Sequence, residues 1–145
     1  MKLSTKGRYG TRAILEIAKG HGLKPVKRKD IVRSQQVPDS YIENILVSLK
    51  AAGIVQTIRG ANGGYQLTRD PGTISVLEVV EALEGSLVPV GCLDENFSGC
   101  PMEKTCPTRD VWMEMYQAMR KVLNKYTLTD LLDRQNEGTS IEYMI

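Results

Sequence analysis

The stretch DSYIENILVSLKAAGIVQTIRGANGGYQL, residues 39–67, decides the fold. From Asp39 or Ser40 to Ala52 its apolar residues return at helical spacing, with Ile42, Ile45, Leu46 and Leu49 on one face and Gly53 as a C-terminal stop. Ile54 to Ile58 then alternates like a strand. Arg59 to Gly64 is a turn, and Tyr65 to Leu67 is a return strand. A helix followed at once by a glycine-rich hairpin reads as a recognition helix with its wing. The tip carries Arg59 and Gly60, and glycines there let the backbone come close to a phosphate chain.

Working outward, a first helix starts near Ser4 or Thr5. Tyr9, Ala13, Ile14, Ile17 and Ala18 line one side of it, and Gly20 and Gly22 end it. Pro25-Val26 forms a short extended piece. A second short helix turns Ile31 and Val32 inward and breaks at Val37-Pro38. Two short helices joined by a tight break predict a helix-turn-helix. Downstream, Asp70-Pro71-Gly72 is a turn and a boundary, and Ser75 with Glu78 is a capping-box pattern opening a helix through Leu83. Residues 86–107 show no period, which calls for a functional explanation or for disorder without a ligand. Thr108 to Tyr126 is the longest helix, and its apolar face is wider than one small domain needs; a partner helix, and so a homodimer, is the expected cover. Thr127 to Asp130 caps a short last helix bearing Leu128, Leu131 and Leu132, with Glu137 to Ile145 as a loose tail.

The expected fold class is therefore mainly α with a small β-wing: a winged helix-turn-helix plus a long dimerisation helix. The expected divisions are 1–72 for the DNA-binding domain, 73–85 for a connecting helix and 86–107 for a ligand loop. Residues 108–126 form the dimerisation helix, and 127–145 the C-terminal helix and tail.

Composition narrows the function. The chain has 145 residues, 41% hydrophobic and 25% charged, as in an ordinary globular protein, which excludes a fibrous or mostly disordered chain. No apolar run approaches the roughly 18 residues needed to span a bilayer, and Met1 to Gly10 has no signal-like apolar region, so no membrane partner and a reducing, cytoplasmic location are expected. The net charge of +2 hides an asymmetry. Residues 1–70 hold 13 Lys/Arg against 5 Asp/Glu, while residues 71–145 hold 6 against 12. One half is built to meet a polyanion and the other is not.

Ser40, Tyr41, Asn44 and Ser48 lie at the start and along the outward face of the recognition helix, where side chains reach base edges in a major groove. Asn reads adenine, and Ser and Tyr bond to bases or phosphates. Arg59 suits a narrow minor groove. Lys6, Arg8, Lys27, Arg28 and Lys29 are candidates for the phosphate backbone. Double-stranded operator DNA is the expected partner. The three cysteines, Cys92, Cys100 and Cys106, all fall in the irregular segment, and proline follows the second and third. An odd number of thiols in a reducing compartment argues against a disulfide framework. Thiolates on one loop select zinc or an iron–sulfur cluster.

Four features together resemble the Rrf-type winged-helix transcription regulators: the N-terminal Met1-Lys2-Leu3-Ser4-Thr5-Lys6-Gly7-Arg8-Tyr9, the Tyr41-Ile42-Glu43 triplet, the wing from Ile58 to Tyr65, and the cysteines. The resemblance covers roughly residues 1–135 and is strongest to the branch that regulates iron–sulfur cluster biogenesis. It implies a homodimeric repressor carrying a labile [2Fe–2S] cluster on Cys92, Cys100 and Cys106, with cluster-assembly scaffold proteins as donors. Cluster occupancy would change operator choice, so that cluster-biogenesis genes are repressed when clusters are plentiful. In that branch the fourth ligand is a His three residues after the third Cys. Here that position is Arg109, which does not ligate, and the one His, His21, reads as a helix C-terminal cation. The fourth-ligand candidates are Glu43, Asp39, Asp94, Glu103, His21 or solvent, with Glu43 preferred. Glu43 has two other readings, as part of a Ser40–Glu43 capping box and as a base-selecting acceptor from cytosine.

A nitric-oxide-sensing branch with a [4Fe–4S] cluster shares the cysteine spacing, but its acidic fourth ligand falls where this chain has Arg8. A cysteine-metabolism branch shares the N-terminal motif and lacks the cysteines. From other classes, a cluster-bearing electron carrier would leave the wing and the basic half unexplained, and a zinc-stapled DNA-binding protein would be colourless. No catalytic set is available, because the only His is far in sequence from the cysteines, so an enzyme is not expected.

Overall fold

A computed structural model of the chain describes residues 2–144. Met1 of the N-terminal motif and Ile145 of the tail lie outside the described residues. The first helix, α1 (Thr5–Lys19), is capped by Ser4, whose hydroxyl accepts from the Gly7 N–H at 3.0 Å. It buries Ala13, Ile14, Ile17 and Ala18. The helix-turn-helix is α2 (Arg28–Gln35) and α3 (Asp39–Ala51). Gln36 turns the chain between them in the left-handed region, at φ 54°. The expected stripe of α3 is the buried one: Ile42, Ile45, Leu46 and Leu49.

The wing is an antiparallel pair, β1 (Val55–Ile58) and β2 (Gly64–Leu67), in the register Val55 with Leu67 and Ile58 with Gly64. Its base is tied sideways. Val26 and Tyr65 exchange two backbone hydrogen bonds, both 2.8 Å, so the extended piece before α2 acts as a third strand of one residue. A Cβ on Gly64 would press on the Val26 carbonyl, which is why glycine stands where the two backbones meet.

A single 3-10 turn at Pro71–Thr73 leads into α4 (Val76–Glu84), which opens with the complete Ser75–Glu78 capping box. α4 serves two cores. Val79 and Leu83 join the main core with α1, α3 and Leu128. Leu77 and Val80 join a smaller cluster with Leu87, on which Tyr116, Met119 and Leu123 pack. α1 lies against α4 so closely that a side chain at Gly7 or Gly10 would collide with Glu84 or Leu83.

Residues 86–107 hold one 3-10 turn, Gly91–Leu93, and are otherwise irregular, as the missing period predicts. α5 (Arg109–Lys125) buries no residue at all. Val111, Met115 and Val122 stand exposed on it. The last helix, α6 (Leu128–Met144), differs from expectation. The sequence predicts a short helix and a loose tail from Glu137, yet the helix continues to Met144. Its start is firmly fixed. Thr127 donates through N–H and hydroxyl to the Asp130 carboxylate, and Leu128 is fully buried. The apolar stripe stops after Leu132, but backbone hydrogen bonds propagate a polar helix without one. Gly138 costs only about 1 kcal/mol against Ala and does not end it.

Candidate nucleic-acid interface and cysteine loop

Once Ile42, Ile45, Leu46 and Leu49 are buried, helical geometry turns Ser40, Glu43, Asn44 and Val47 outward, and all four are exposed. Ser40 does not cap the helix. Pro38 is the N-cap residue, with no side-chain cap bond, so the capping-box reading of Ser40 and Glu43 is corrected. With Pro38 as N-cap the helix starts two residues earlier than that box requires. Glu43 and Asp39 instead flank Arg28, at 3.6 and 2.9 Å. Arg28, expected on the phosphate backbone, is thus shared between two carboxylates of the recognition helix.

Two more expected contacts are partly committed. Lys6 donates to the Ser48 hydroxyl at 2.7 Å, fastening α1 to α3. Tyr41 is half-buried, packs on the main core and meets Tyr9 edge-on, with ring centroids 6.1 Å apart and an interplanar angle of 87°. Arg8, Lys27 and Lys29 are exposed, as are Arg59 and Gly60 at the wing tip. Gly60 sits at φ 108°, and its carbonyl accepts from the Gly63 N–H at 3.0 Å, which closes the tip into a tight loop.

Sequence reasoning missed the anchor beneath this surface. The Glu84 carboxylate accepts from the Ser4 N–H at 2.9 Å and from the Ser4 hydroxyl at 2.6 Å. The end of α4 thereby holds the start of α1, which in turn holds Ser48 through Lys6. Ser4 was legible as a cap; its partner, 80 residues away, was not.

The cysteines are free and half-buried. Cys92 lies in the Gly91–Leu93 turn, and Cys106 stands just before α5. The Cys106 thiol is held below its ordinary pKa, first by the Thr108 hydroxyl at 3.4 Å and next by the Thr108 N–H; these outweigh the opposing desolvation, and the Arg109 N–H and charge add to them. Arg109, at the position where the resembled branch has a His ligand, therefore contributes charge rather than a lone pair. Its guanidinium also reaches Glu103 at 3.8 Å.

Three soft thiols on one loop fit an iron–sulfur cluster by the chemistry of the donor set. Within the chain they are not gathered: among the described residues no three His, Cys, Asp or Glu come together to hold a metal ion. Each fourth-ligand candidate has its own place. Asp39 and Glu43 face Arg28, Glu103 faces Arg109, Asp94 accepts from the Asn96 N–H at 2.9 Å, and His21 is exposed beyond α1. Beside the loop, Val80, Leu87, Trp112, Met115 and Leu123 line an apolar cavity of about 610 Å³ between α4 and α5.

A family model, Rrf2, described as an iron-dependent transcriptional regulator, matches residues 3–134. The chain is 43% identical over 132 residues to Protein rrf2 of Nitratidesulfovibrio vulgaris, covering 91% of this chain and 87% of that protein. Its fold is similar to CymR, the global cysteine regulator of B. subtilis, with a TM-score of 0.75, 36% identity, and 92% and 98% of the two chains covered. It is equally similar to T. potens IscR, with a TM-score of 0.75, 36% identity, and 95% and 90% covered.

Proposed function

The chain belongs to the Rrf2 family of transcriptional regulators, and on that premise we propose a homodimeric repressor whose operator binding is set by a [2Fe–2S] cluster on Cys92, Cys100 and Cys106. One observation carries the reading. A winged helix with an exposed polar recognition face shares its chain with three free thiols, clustered on the one long irregular segment. Neither a plain DNA-binding protein nor an electron carrier needs both.

In this reading α3 enters the major groove with Ser40, Asn44 and the Tyr41 hydroxyl toward the bases. Arg59 and the Gly60 backbone meet the minor groove, and Arg8, Lys27 and Lys29 meet phosphates. Residues 1–72 read DNA, and 73–85 connect them to the cluster loop at 86–107. Residues 108–126 form the dimer through the bare face of α5, and 127–145 complete the C-terminal helix. The cluster supplies a labile, redox-sensitive centre whose presence favours one conformation over another. Glu43 is the proposed fourth ligand. To serve, it must leave Arg28, which then keeps Asp39 as its carboxylate partner. Repression of cluster-biogenesis genes, delivery by scaffold proteins and a cytoplasmic setting complete the proposal; no described helix is long and apolar enough to cross a membrane.

The test is anaerobic purification with iron and sulfide analysis, followed by operator affinity of holo and apo protein at one fixed salt concentration. About two irons and two sulfides per chain, with unequal affinities, is the expected result. Iron nearer four points to the [4Fe–4S] nitric-oxide sensor of the same family. Equal affinities overturn the sensor. Glu43→Ala should change the absorption and lifetime of the cluster, and an unchanged holo protein removes Glu43 as a ligand.

The likeness to B. subtilis CymR favours a second reading, a cluster-free regulator in cysteine metabolism. It predicts colourless protein whose DNA binding ignores iron.

A further inference from the structure

Among the exposed large apolar side chains, four lie on or beside α5. Leu3 and Met115 border the cavity beside α5, and Val111 and Val122 continue along that helix. Val47 stands apart, 61% exposed on α3. Single apolar residues on a surface are ordinary and carry no argument by themselves. The place of Val47 is different. At 100° per residue, the outward direction of α3, opposite Ile42, Ile45, Leu46 and Leu49, falls among Ser40, Asn44, Val47 and Ala51. Val47 lies about 30° from it, beside two groups suited to base edges. The one branched apolar side chain on the reading face is thus near its centre, where a solvated polar residue would be no harder to accommodate.

We propose that Val47 reads the 5-methyl group of a thymine in the operator. In the major groove thymine is the base that presents an apolar group, and an apolar side chain is its natural complement. The three-residue step from Asn44 to Val47 advances about 4.5 Å along the helix axis, on the order of one base-pair step of about 3.4 Å. Val47 would then read a pair next to the one that faces Asn44. Burying both methyl surfaces gives preference without a hydrogen bond and without charge, so this contribution is insensitive to salt. The inference rests on the proposed DNA-binding role of α3 and assigns it a base.

The test starts from a random-sequence duplex library, from which the full-length protein selects its operator. Each thymine of the selected duplex is then replaced singly by deoxyuridine, which removes only the methyl group. Wild-type protein should lose about fourfold in affinity, the worth of one buried methyl, at one thymine position per half-site. Val47→Ala should bind the thymine duplex more weakly and show no further loss on deoxyuridine at that position. Thermal unfolding of the exposed-site variant should match wild type, and Val47→Thr, which keeps one methyl, should retain part of the discrimination. Loss of the same size in Val47→Ala overturns the proposal. So does a wild-type protein indifferent to deoxyuridine at every thymine. A library that yields no enriched sequence instead overturns the DNA-binding reading itself, and the two failures are told apart at the first step.

Discussion

Every α-helix from α1 to α4 buries residues, and α5, with 17 residues, buries none. The two regions are made of similar residues. Both have apolar positions at helical spacing. What separates them is cover. The winged helix surrounds its stripe with α1, α2, α4 and the wing, so that Ile14, Ile31, Ile42 and Ile45 are fully shielded. α5 has only the small cluster around Leu77, Val80 and Leu87 on one side. An isolated helix of this length is marginal in water, because most helical stability in proteins comes from packing. A region whose apolar stripe is covered and a helix whose apolar face is left bare therefore sit in one chain.

Substitutions can break or sharpen that contrast. The largest effect is expected for Ile42→Ala, where a fully buried side chain leaves a cavity: unfolding in urea should show a loss of about 2–5 kcal/mol. A loss below about 1 kcal/mol would mean that the winged helix is not the self-sufficient half. Arg59→Ala, at the exposed wing tip, should leave that stability alone and weaken operator binding by about 1–3 kcal/mol, read as a titration at several salt concentrations. Ser75→Ala removes the cap of the helix that both cores share and should cost about 1 kcal/mol.

That same cap has a pH signature. Burial acts to raise the Glu78 carboxyl, but bonds from the Ser75 N–H and from Arg69, with the Arg69 charge and the Ser75 hydroxyl, hold it below the usual value of 4.5. A depressed carboxylate stabilises the fold above its unfolded pKa and loses that contribution as pH falls through the folded value. Glu78→Gln should therefore flatten the stability profile below about pH 4.5 and nowhere else. The smallest effect is expected for Val122→Ala on α5. The fold should change by less than about 0.5 kcal/mol, while sedimentation should show weaker self-association. A cost like that of Ile42→Ala without any change in assembly would erase the contrast.

The sequence carried the winged helix almost residue by residue, because periodicity, Gly53, the glycine-rich tip and the Ser75–Glu78 box are local signals. It carried the bare face of α5 for the same reason. It failed where the deciding partner is distant or where no apolar stripe is required. Arg28 was legible as a cation, but its pairing with Asp39 and Glu43 was not. Ser48 was legible as an outward polar residue, but the hydrogen bond it accepts from Lys6 was not. The length of α6 was hidden because Asp133 to Glu137 offers no face to bury, and periodicity registers only faces. The cysteines were visible as a set, while their arrangement depends on whatever meets the loop.

The paired hydrogen bonds between Val26 and Tyr65 have a mechanical consequence. They close a ring of chain around α2, α3 and β1, so the helix-turn-helix and the base of the wing are sewn at a single seam. The Arg59–Gly63 tip lies beyond the paired strands. The helix-turn-helix and the base of the wing therefore share one backbone frame, closed between residues that lie far apart in sequence.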